Sequence, residues 1–581
     1  MTGTSPASEP PSTSAENQEN AAQAEQAEQA AATAEGATTP GAGATGIATT
    51  PSAAAGPDAP GPAAPGAPPA AVTPVWPSPA VPAGAAPAFA VAGGLLAAGL
   101  VPLGSPGLGW PLAGMAVVAA TAGGLWSTLA TAAVPTAQAP PPAAAPSSAR
   151  PGPAGTPRAR WVESAAWGVA VIALLSVGAV RAADWLFALC VFAAAVAAVP
   201  AVTSGRSVRG LLLNALLLPA AAVRATGWAY RSAAAVRQRT VGNLRFGLTL
   251  TITAVLLLVF GGLLASADAG FARLLGQALP DVGIDSAIAR LFVFGIVTLT
   301  VLSGVFMLLA PASVDPQPRP DGRRTVRVVE WATPVGALVA LFSLFVGVQL
   351  TVLFGGASYV LGPDGPDYAE YARSGFGQLV TVTVLTLVVM GVVGWLAPRK
   401  APLERWLLRG LLGALGLLSL VIVASALFRM HTYQEAYGFT RLRVLVSVVE
   451  LWLGVVFLLV LAAGIRLRAG WLPRMVVATG VAAVLALAVL NPDRFIAEQN
   501  IARWQAAAPG AETQLDLVYL RGLSADALPV LICLPAEDRE FTVWKIESEV
   551  MDESGDWRSA NLSRALARRL LSGAAPPSCG D

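Results

Sequence analysis

About eleven apolar runs of roughly 20 residues, almost free of charge, recur along this chain. A helix of that length rises ~1.5 Å per residue and just crosses a hydrocarbon core of about 30 Å. The runs cover residues 85–103, 110–129, 164–180, 185–202, 246–265, 291–310, 331–353, 378–396, 410–428, 444–465 and 475–490. In lipid every backbone N–H and C=O must be paired within the protein, which leaves helices or closed barrels, and none of these runs alternates as barrel strands do. The expected fold class is therefore all-α: a polytopic transmembrane helical bundle over 85–490, with a disordered N-terminal tail over 1–84 and a small helical C-terminal domain over 491–581. Charged residues make up only 12% of the chain, about half the share usual in soluble domains.

Arginine placement tests the list of spans, because Lys and Arg accumulate in cytoplasmic loops close to span ends. Arg150, Arg158 and Arg160 precede the third run, and a cluster from Arg206 to Arg239 follows the fourth. Arg319 to Arg327 follow the sixth, Arg399 to Arg405 the eighth, and Arg466 to Arg474 the tenth. The intervening loops are expected to carry Asp184, Asp268, Asp281, Asp285, Asp364, Asp367 and Glu370. This alternation predicts a cytoplasmic N-terminus and an extracytoplasmic C-terminal domain in a bacterial cytoplasmic membrane, the Arg-, Ala- and Gly-rich usage pointing to a GC-rich genome. The stretch 210–223 is too short and too broken by Asn214 and Pro219 to count as a span. Its basic flanks predict an interfacial helix over about 207–231.

The first 84 residues are mostly Ala, Pro, Gly, Ser, Thr, Gln and Glu, with no basic residue before Arg150. Such a composition cannot bury a core, and no basic segment leads into an early apolar run as a cleavable signal requires. At the other end, Asn491-Pro492 reads as a helix start, with Asn as the capping residue and Pro at the first helical position. Further helices are expected over 515–521, 524–533, 537–551 and 559–571, with a strand over 540–550 as the alternative for one of them. Cys533 and Cys579, the two cysteines of this domain, are a possible disulfide; a buried thiol and a loose tail are the competing reading.

Ionisable groups inside spans are functional candidates, since a charge at mid-bilayer costs at least about 3 kcal/mol. Glu450 qualifies, with Arg443 two turns before it on the same face and Gln349 at similar depth in another span. It is either a proton-relay carboxylate or a polar group that fixes helix packing. Two further segments are polar and aromatic. One is expected to be the outer loop carrying Arg429, His431, Tyr433, Glu435, Tyr437 and Arg441, the other the loop with Tyr368, Tyr371 and Arg373. His431 and Glu435 stand four apart, so a helical turn would juxtapose them as a two-ligand metal pair or as a solvated pair. Each segment holds two tyrosines around a glutamate and then Gly-Phe, which fits duplicated hairpins or tyrosines of the interfacial belt.

No phosphate-binding glycine loop, zinc-spaced cysteines or nucleophile–base pair occurs, so no cofactor, metal or catalytic residue is expected. The net charge of +2 gives no basic surface for nucleic acid. The patches Tyr371 to Phe376, Met430 to Arg443, Asn491-Pro492-Asp493 and Asp556 to Ser563, from Gly242 onward, resemble an uncharacterised family of bacterial, mainly actinobacterial, multi-pass membrane proteins known as a domain of unknown function. That resemblance implies membrane placement and no chemistry. The expected function is that of an envelope scaffold or sensor-like protein, in contact with the lipid bilayer and with an envelope protein partner through the C-terminal domain. A secondary transporter using Glu450 and the tyrosine loops is the alternative.

Overall fold

The computed structural model describes residues 79, 81–132, 157–203, 217–237, 260, 264, 284–310, 327–354, 376–399, 401–467, 469–507, 514–552, 555–574 and 579. The tail over 1–84 and the loop with Tyr368, Tyr371 and Arg373 lie almost wholly or wholly outside these residues, as does most of the run at 246–265. Among the described residues every regular element is helical. The helices are α1 (Ala86–Leu100), α2 (Gly109–Ala132), α3 (Pro157–Val180), α4 (Asp184–Val202), α5 (Leu218–Arg237), α6 (Ile284–Leu309), α7 (Val328–Phe354), α8 (Phe376–Leu396), α9 (Pro402–Tyr437), α10 (Arg441–Arg466) and α11 (Leu472–Leu490). Nine of them, all but α1 and α5, are long and apolar enough to cross a membrane. Of the eleven runs, α1 falls short at 15 residues: Pro87 sits in its first turn, and Pro102 pushes Val101 into the extended region and ends it.

Among the described residues three large apolar cores order the bundle, with a small fourth around Ala97, Val101 and Ala113. One joins α1, α2, α5 and α6, with Ala90, Val301, Val305 and Phe306 at its centre. A second joins α7 to α10 around Val335, Leu415, Ile422 and Phe457. The third runs through α3, α4 and α11 and continues without a break into the C-terminal segment. At the end of the bundle away from that segment, Arg474 of α11 pairs with Glu163 of α3 and donates to the Thr203 carbonyl after α4. Helix α5 (Leu218–Arg237) lies partly in the stretch where an interfacial helix is expected at about 207–231, whose first residues, 207–216, are outside the described ones. It buries Ala221, Ala225 and Trp228 against α6, the Trp228 and Phe306 rings meeting edge to face at 5.9 Å, and leaves Val223 and Tyr230 exposed.

Past α11 the chain forms α12 (Pro492–Gln505), α13 (Leu517–Arg521), α14 (Leu528–Leu531), α15 (Ala536–Met551) and α16 (Leu562–Leu571), with 3-10 turns at Ala525–Ala527 and Trp557–Ser559. The strand alternative at 540–550 gives way to α15, in which Thr542, Val543, Ile546 and Val550 fall on one buried face. Asn491 does not cap α12 with its side chain as expected. It adopts a left-handed conformation (φ 57°, ψ 72°) and turns α11 directly into α12, a conformation Asn tolerates better than a branched residue. Ile496, Ala497, Ile501, Leu528, Leu531, Val543, Ile546 and Leu570 then share one core with Leu186, Cys190 and Leu487 of the bundle. The C-terminal segment is thus a helical cap welded to one end of the bundle by a common apolar interior. Within it, Cys533 and Cys579 are joined as a disulfide with alpha carbons 5.5 Å apart.

Candidate functional site: the polar hub beneath the cap

Every helix terminus leaves backbone N–H or C=O groups without intrahelical partners. The cap brings several termini together where the bundle ends, and buried side chains satisfy them. The short turn Arg181-Ala182-Ala183 between α3 and α4 is the centre. Asp526, on the 3-10 turn before α14, accepts from the Ala182 and Ala183 amides at 2.8 and 3.0 Å through one carboxylate oxygen. Ser563 reaches its other oxygen at 2.5 Å, and the Ser524 hydroxyl adds a bond of 3.1 Å. Arg181 itself donates to the Ala488 and Val489 carbonyls at the end of α11, at 2.8 and 3.1 Å. Asn561 faces two ways: its oxygen caps α16 at the Arg564 amide, and its amide nitrogen donates to the Gly178 and Arg181 carbonyls, both at 2.8 Å.

Asp493 makes the second node. It is fully buried in the first turn of α12 and accepts both arms of the Arg441 guanidinium, at 2.8 and 2.5 Å. The indole of Trp185 in α4 donates to it at 3.2 Å and the Ser524 amide at 2.9 Å. The Tyr519 hydroxyl accepts from the Arg441 amide at 2.7 Å. These contacts tie α4, α10, α12 and the 524–527 turn at one point. Burial alone would raise the Asp493 carboxyl, but the Arg441 hydrogen bonds and charge, with the Ser524 donor, outweigh it and hold the group below the usual carboxylate range. Asp526 goes the other way. Burial pushes its carboxyl up, and its hydrogen bonds with Ser563, Ala182 and Ser524 do not fully offset that. Burial likewise raises the Tyr519 phenol.

The segment around His431, expected as a loop, is the end of the 36-residue helix α9. At ~1.5 Å per residue that helix is about 54 Å long, so its last turns stand clear of a hydrocarbon core and meet the cap. Its apolar run at 410–428 stops at Arg429 while the helix continues through polar residues to Tyr437, so apolar length does not mark those last turns as helix. Arg429 donates to Gln349 of α7 at 2.7 Å. His431 and Glu435 pair at 3.3 Å with both side chains largely exposed, and no group of three or more His, Cys, Asp or Glu side chains suited to a metal occurs among the described residues. The Tyr433 and Tyr437 rings pack at a tilt of 41° with centroids 5.0 Å apart, and Arg443 lies 4.4 Å above the Tyr433 ring. Gly438 ends α9 at φ 80°, where a Cβ would crowd Asn500 and Arg503. Asn500 then grips the Phe439 backbone at both its N–H and its C=O, at 2.7 and 2.9 Å. This accounts for one of the Gly-Phe pairs.

Glu450 lies nine residues into α10, about 13 Å along the helix from Arg441. It is 1% exposed, and neither carboxylate oxygen has a hydrogen-bond partner among the described residues. The two groups expected near it are engaged elsewhere: Arg443 donates to the Tyr437 and Gly438 carbonyls, and Gln349 accepts from Arg429.

The structure therefore gathers Arg441, Tyr433, Tyr437 and the end of α9 at the cap and leaves Glu450 apart. Sequence reasoning missed Trp185, Tyr519, Ser524 and Asp526, and gave no role to Asp493, Asn561 and Ser563 although they lie in patches that carry the resemblance. One signal was available: Asp526 stands alone in Leu523-Ser-Ala-Asp-Ala-Leu528, an acid among small and apolar residues that had to be buried with it. Chemically the hub is saturated, since the oxygens of both carboxylates already accept hydrogen bonds, and it is built to hold helix ends in place. A family profile described as a domain of unknown function (DUF4153) matches residues 169–534. No curated protein and no solved structure matches the chain. The matched stretch begins within α3, well before Gly242, and ends beside Cys533. It takes in Arg181, Arg441, Asp493 and Asp526 but not the 556–563 patch.

Proposed function

The chain belongs to the DUF4153 family, and on that premise we propose that it is an envelope scaffold or sensor-like membrane protein whose cap is a fixed platform for a protein partner. The observation that carries this reading is the shared core and saturated hub, which make cap and bundle one rigid body. A tethered domain would need no such bonds. The orientation belongs to the same proposal: a bacterial cytoplasmic membrane, with the N-terminus cytoplasmic and the cap outside. It rests on the alternation of basic loops and on a disulfide, which persists in oxidising compartments. The partner-facing surface is the patch where Arg521 lies 4.9 Å from both the Phe541 and Trp544 rings. Trp544 is 59% exposed beside an exposed Val518, and Trp and Arg dominate binding hot spots. A photo-crosslinking residue at Trp544 of the full chain in native membranes should give a discrete protein adduct, diminished by Arg521→Ala. Equal, diffuse labelling from position 544 and from exposed Glu537 would overturn the reading.

A second reading, secondary transport, is favoured by Glu450. A buried carboxylate without partners, deep in a spanning helix, is the form a proton-carrying site takes. Substrate-driven uptake in proteoliposomes that Glu450→Gln abolishes, with folding intact, would select this reading.

A further inference from the structure

A polar residue that glues spanning helices together does so by bonding across to a neighbour. Neither oxygen of Glu450 bonds any group among the described residues, yet the contacts on either side of it fix where it faces. Ser447, one turn before it on α10, accepts from the buried Gln434 side chain of α9 at 3.2 Å. One turn after it, a Cβ at Gly454 would lie 3.4 Å from Val423 of α9. Residues three and four apart share a helix face, so Glu450 stands on the stripe of α10 turned to α9, between these two contacts. That stripe is polar on one side of Glu450 only. Toward the cap, the Ser447 hydroxyl donates to the Arg443 carbonyl at 2.9 Å, and the Arg443 side chain reaches the Tyr433 hydroxyl at 3.3 Å, next to the exposed ring of Tyr437. Away from the cap, the buried positions of α10 are Leu453, Gly454, Val456, Phe457 and Ala463, and the next charged residue, Arg466, is about 24 Å further along the helix.

We propose that Glu450 binds a proton taken from the cap's side of the membrane along the polar track of Tyr433, Gln434 and Ser447, and that the apolar half of α10 shuts it off from the opposite side. The inference rests on the second reading above only in that the carboxyl is protonatable; it requires no cargo. Polar side chains inside a bundle mark such routes. The charges on the packed elements leave the carboxyl to itself. Helices α8, α9, α11 and α12 pack against α10. Helix α8 carries no titratable side chain, and α11 carries Arg474 alone, paired with Glu163 at the far end. Those of α9 lie within 404–409 and 429–437, with Arg429 turned to Gln349 of α7. In α12, Asp493 is bound to Arg441 and Arg503 to the Ala436 carbonyl, while Arg494 and Glu498 pair with each other. The same isolation selects the ligand: a hard cation is held by several oxygens, no cluster of three or more His, Cys, Asp or Glu occurs among the described residues, and a proton needs one carboxyl.

The test uses the full chain in membrane vesicles whose two sides are buffered at different pH, with the side of the cap read from maleimide reaction at Ala575→Cys in parallel vesicles. A brief exposure to dicyclohexylcarbodiimide, which attacks protonated carboxyls in apolar surroundings, is followed by peptide mass spectrometry of Glu450. Labelling should fall about tenfold per pH unit on the cap's side once the group ionises, ignore the pH of the opposite side, and vanish in Glu450→Gln. The double variant Gln434→Leu, Ser447→Ala removes both partners of one hydrogen bond, a change that is nearly neutral for stability. It should melt as the parent does and respond to cap-side pH several-fold less; if it does not fold, the two-sided titration of the parent still decides. Labelling that follows the opposite side, follows both sides or ignores pH overturns the proposal. So does protection by sodium chloride, relative to choline chloride at fixed pH, since the site would then take a metal cation. Labelling as expected in a chain that shows no uptake would remove the transport reading and leave the proton site. Uptake abolished by Glu450→Gln, with labelling that follows the opposite side, would do the reverse.

Discussion

Replacing Asp493 by Asn puts an amide where both guanidinium arms of Arg441 now find a carboxylate, and leaves a largely buried cation without its counter-charge. Breaking a buried pair costs about 3 to 5 kcal/mol, and Arg441 is one-third exposed, so a loss of about 2 to 4 kcal/mol is expected in denaturant titrations in mixed micelles. The two buried aspartates respond to pH with opposite signs. The folded-state pKa of Asp493 is depressed, so its contribution is present above the unfolded value of about 3.9 and is lost as pH falls through the lower folded value. That of Asp526 is raised, so its contribution is complete below about 3.9 and is lost as pH rises through the folded value. Asp526→Asn should therefore flatten the decline of stability above pH 4 while its oxygen still accepts from Ala182 and Ala183. Asp526→Ala should lose about 2 to 3 kcal/mol by orphaning one buried and one part-buried amide. Unchanged pH profiles in Asp526→Asn would show that the burial of this carboxyl carries no such linkage. At this scale the sequence was only partly legible. Glu450 and Arg441 could be singled out, because a charge in or beside an apolar run is conspicuous. The partners of Arg441 could not, because Asp493 and Tyr519 lie 52 and 78 positions away and no local pattern records such distances.

Elements were far more legible, for a physical reason: a segment in lipid has almost no option except helix, so length and apolarity suffice to place it. The described helices overlap ten of the eleven expected runs, and their ends differ where polar residues extend a helix into water, as at Arg429 to Tyr437. The helices of the cap followed Gly, Pro and Ser breaks. What pattern could not supply was how the elements approach one another. At Gly107 a Cβ would overlap the Ser559 backbone, so the α1–α2 turn lies directly against the cap, where the Leu108 amide donates to the Ala560 carbonyl at 3.0 Å. Gly107→Ala should push that turn away, at a cost of about 1 to 3 kcal/mol for overpacking. Faster hydrogen exchange at Leu108 and in α16 would register it; exchange equal to the parent would contradict the close approach. Asn491 gives a matching case. Asn491→Gly should be tolerated, whereas Asn491→Val should cost about 1 to 2 kcal/mol for a branched residue in the left-handed region.

For the molecule as a whole, orientation is checked by single cysteines placed in a chain lacking the native ones. Gly365→Cys and Ala575→Cys should react with an impermeant maleimide in intact cells, and Gly322→Cys only after lysis. The reverse pattern would invert the orientation. The disulfide bears on the same question, since reduction should lower stability by about 2 to 4 kcal/mol if the pair forms in cells. A non-reduced mass with both thiols open to alkylation would count against it. The hub also sets a condition on time. Asp526 follows Ala182 by 344 positions, and at ~5–20 residues per second the ribosome needs about 20 to 70 s to cover that distance. Throughout that interval the turn after α3 is in the membrane with its amides unlatched, the carbonyls ending α3 lack Asn561, and the cap's share of the core does not yet exist. The last 60 residues therefore work as a seal on an assembly already inserted. A message truncated between Gln505 and Ser524, and so without Asp526 and Asn561, should yield a protein that reaches the bilayer, fails to close at one end, and is recognised by quality-control proteases there.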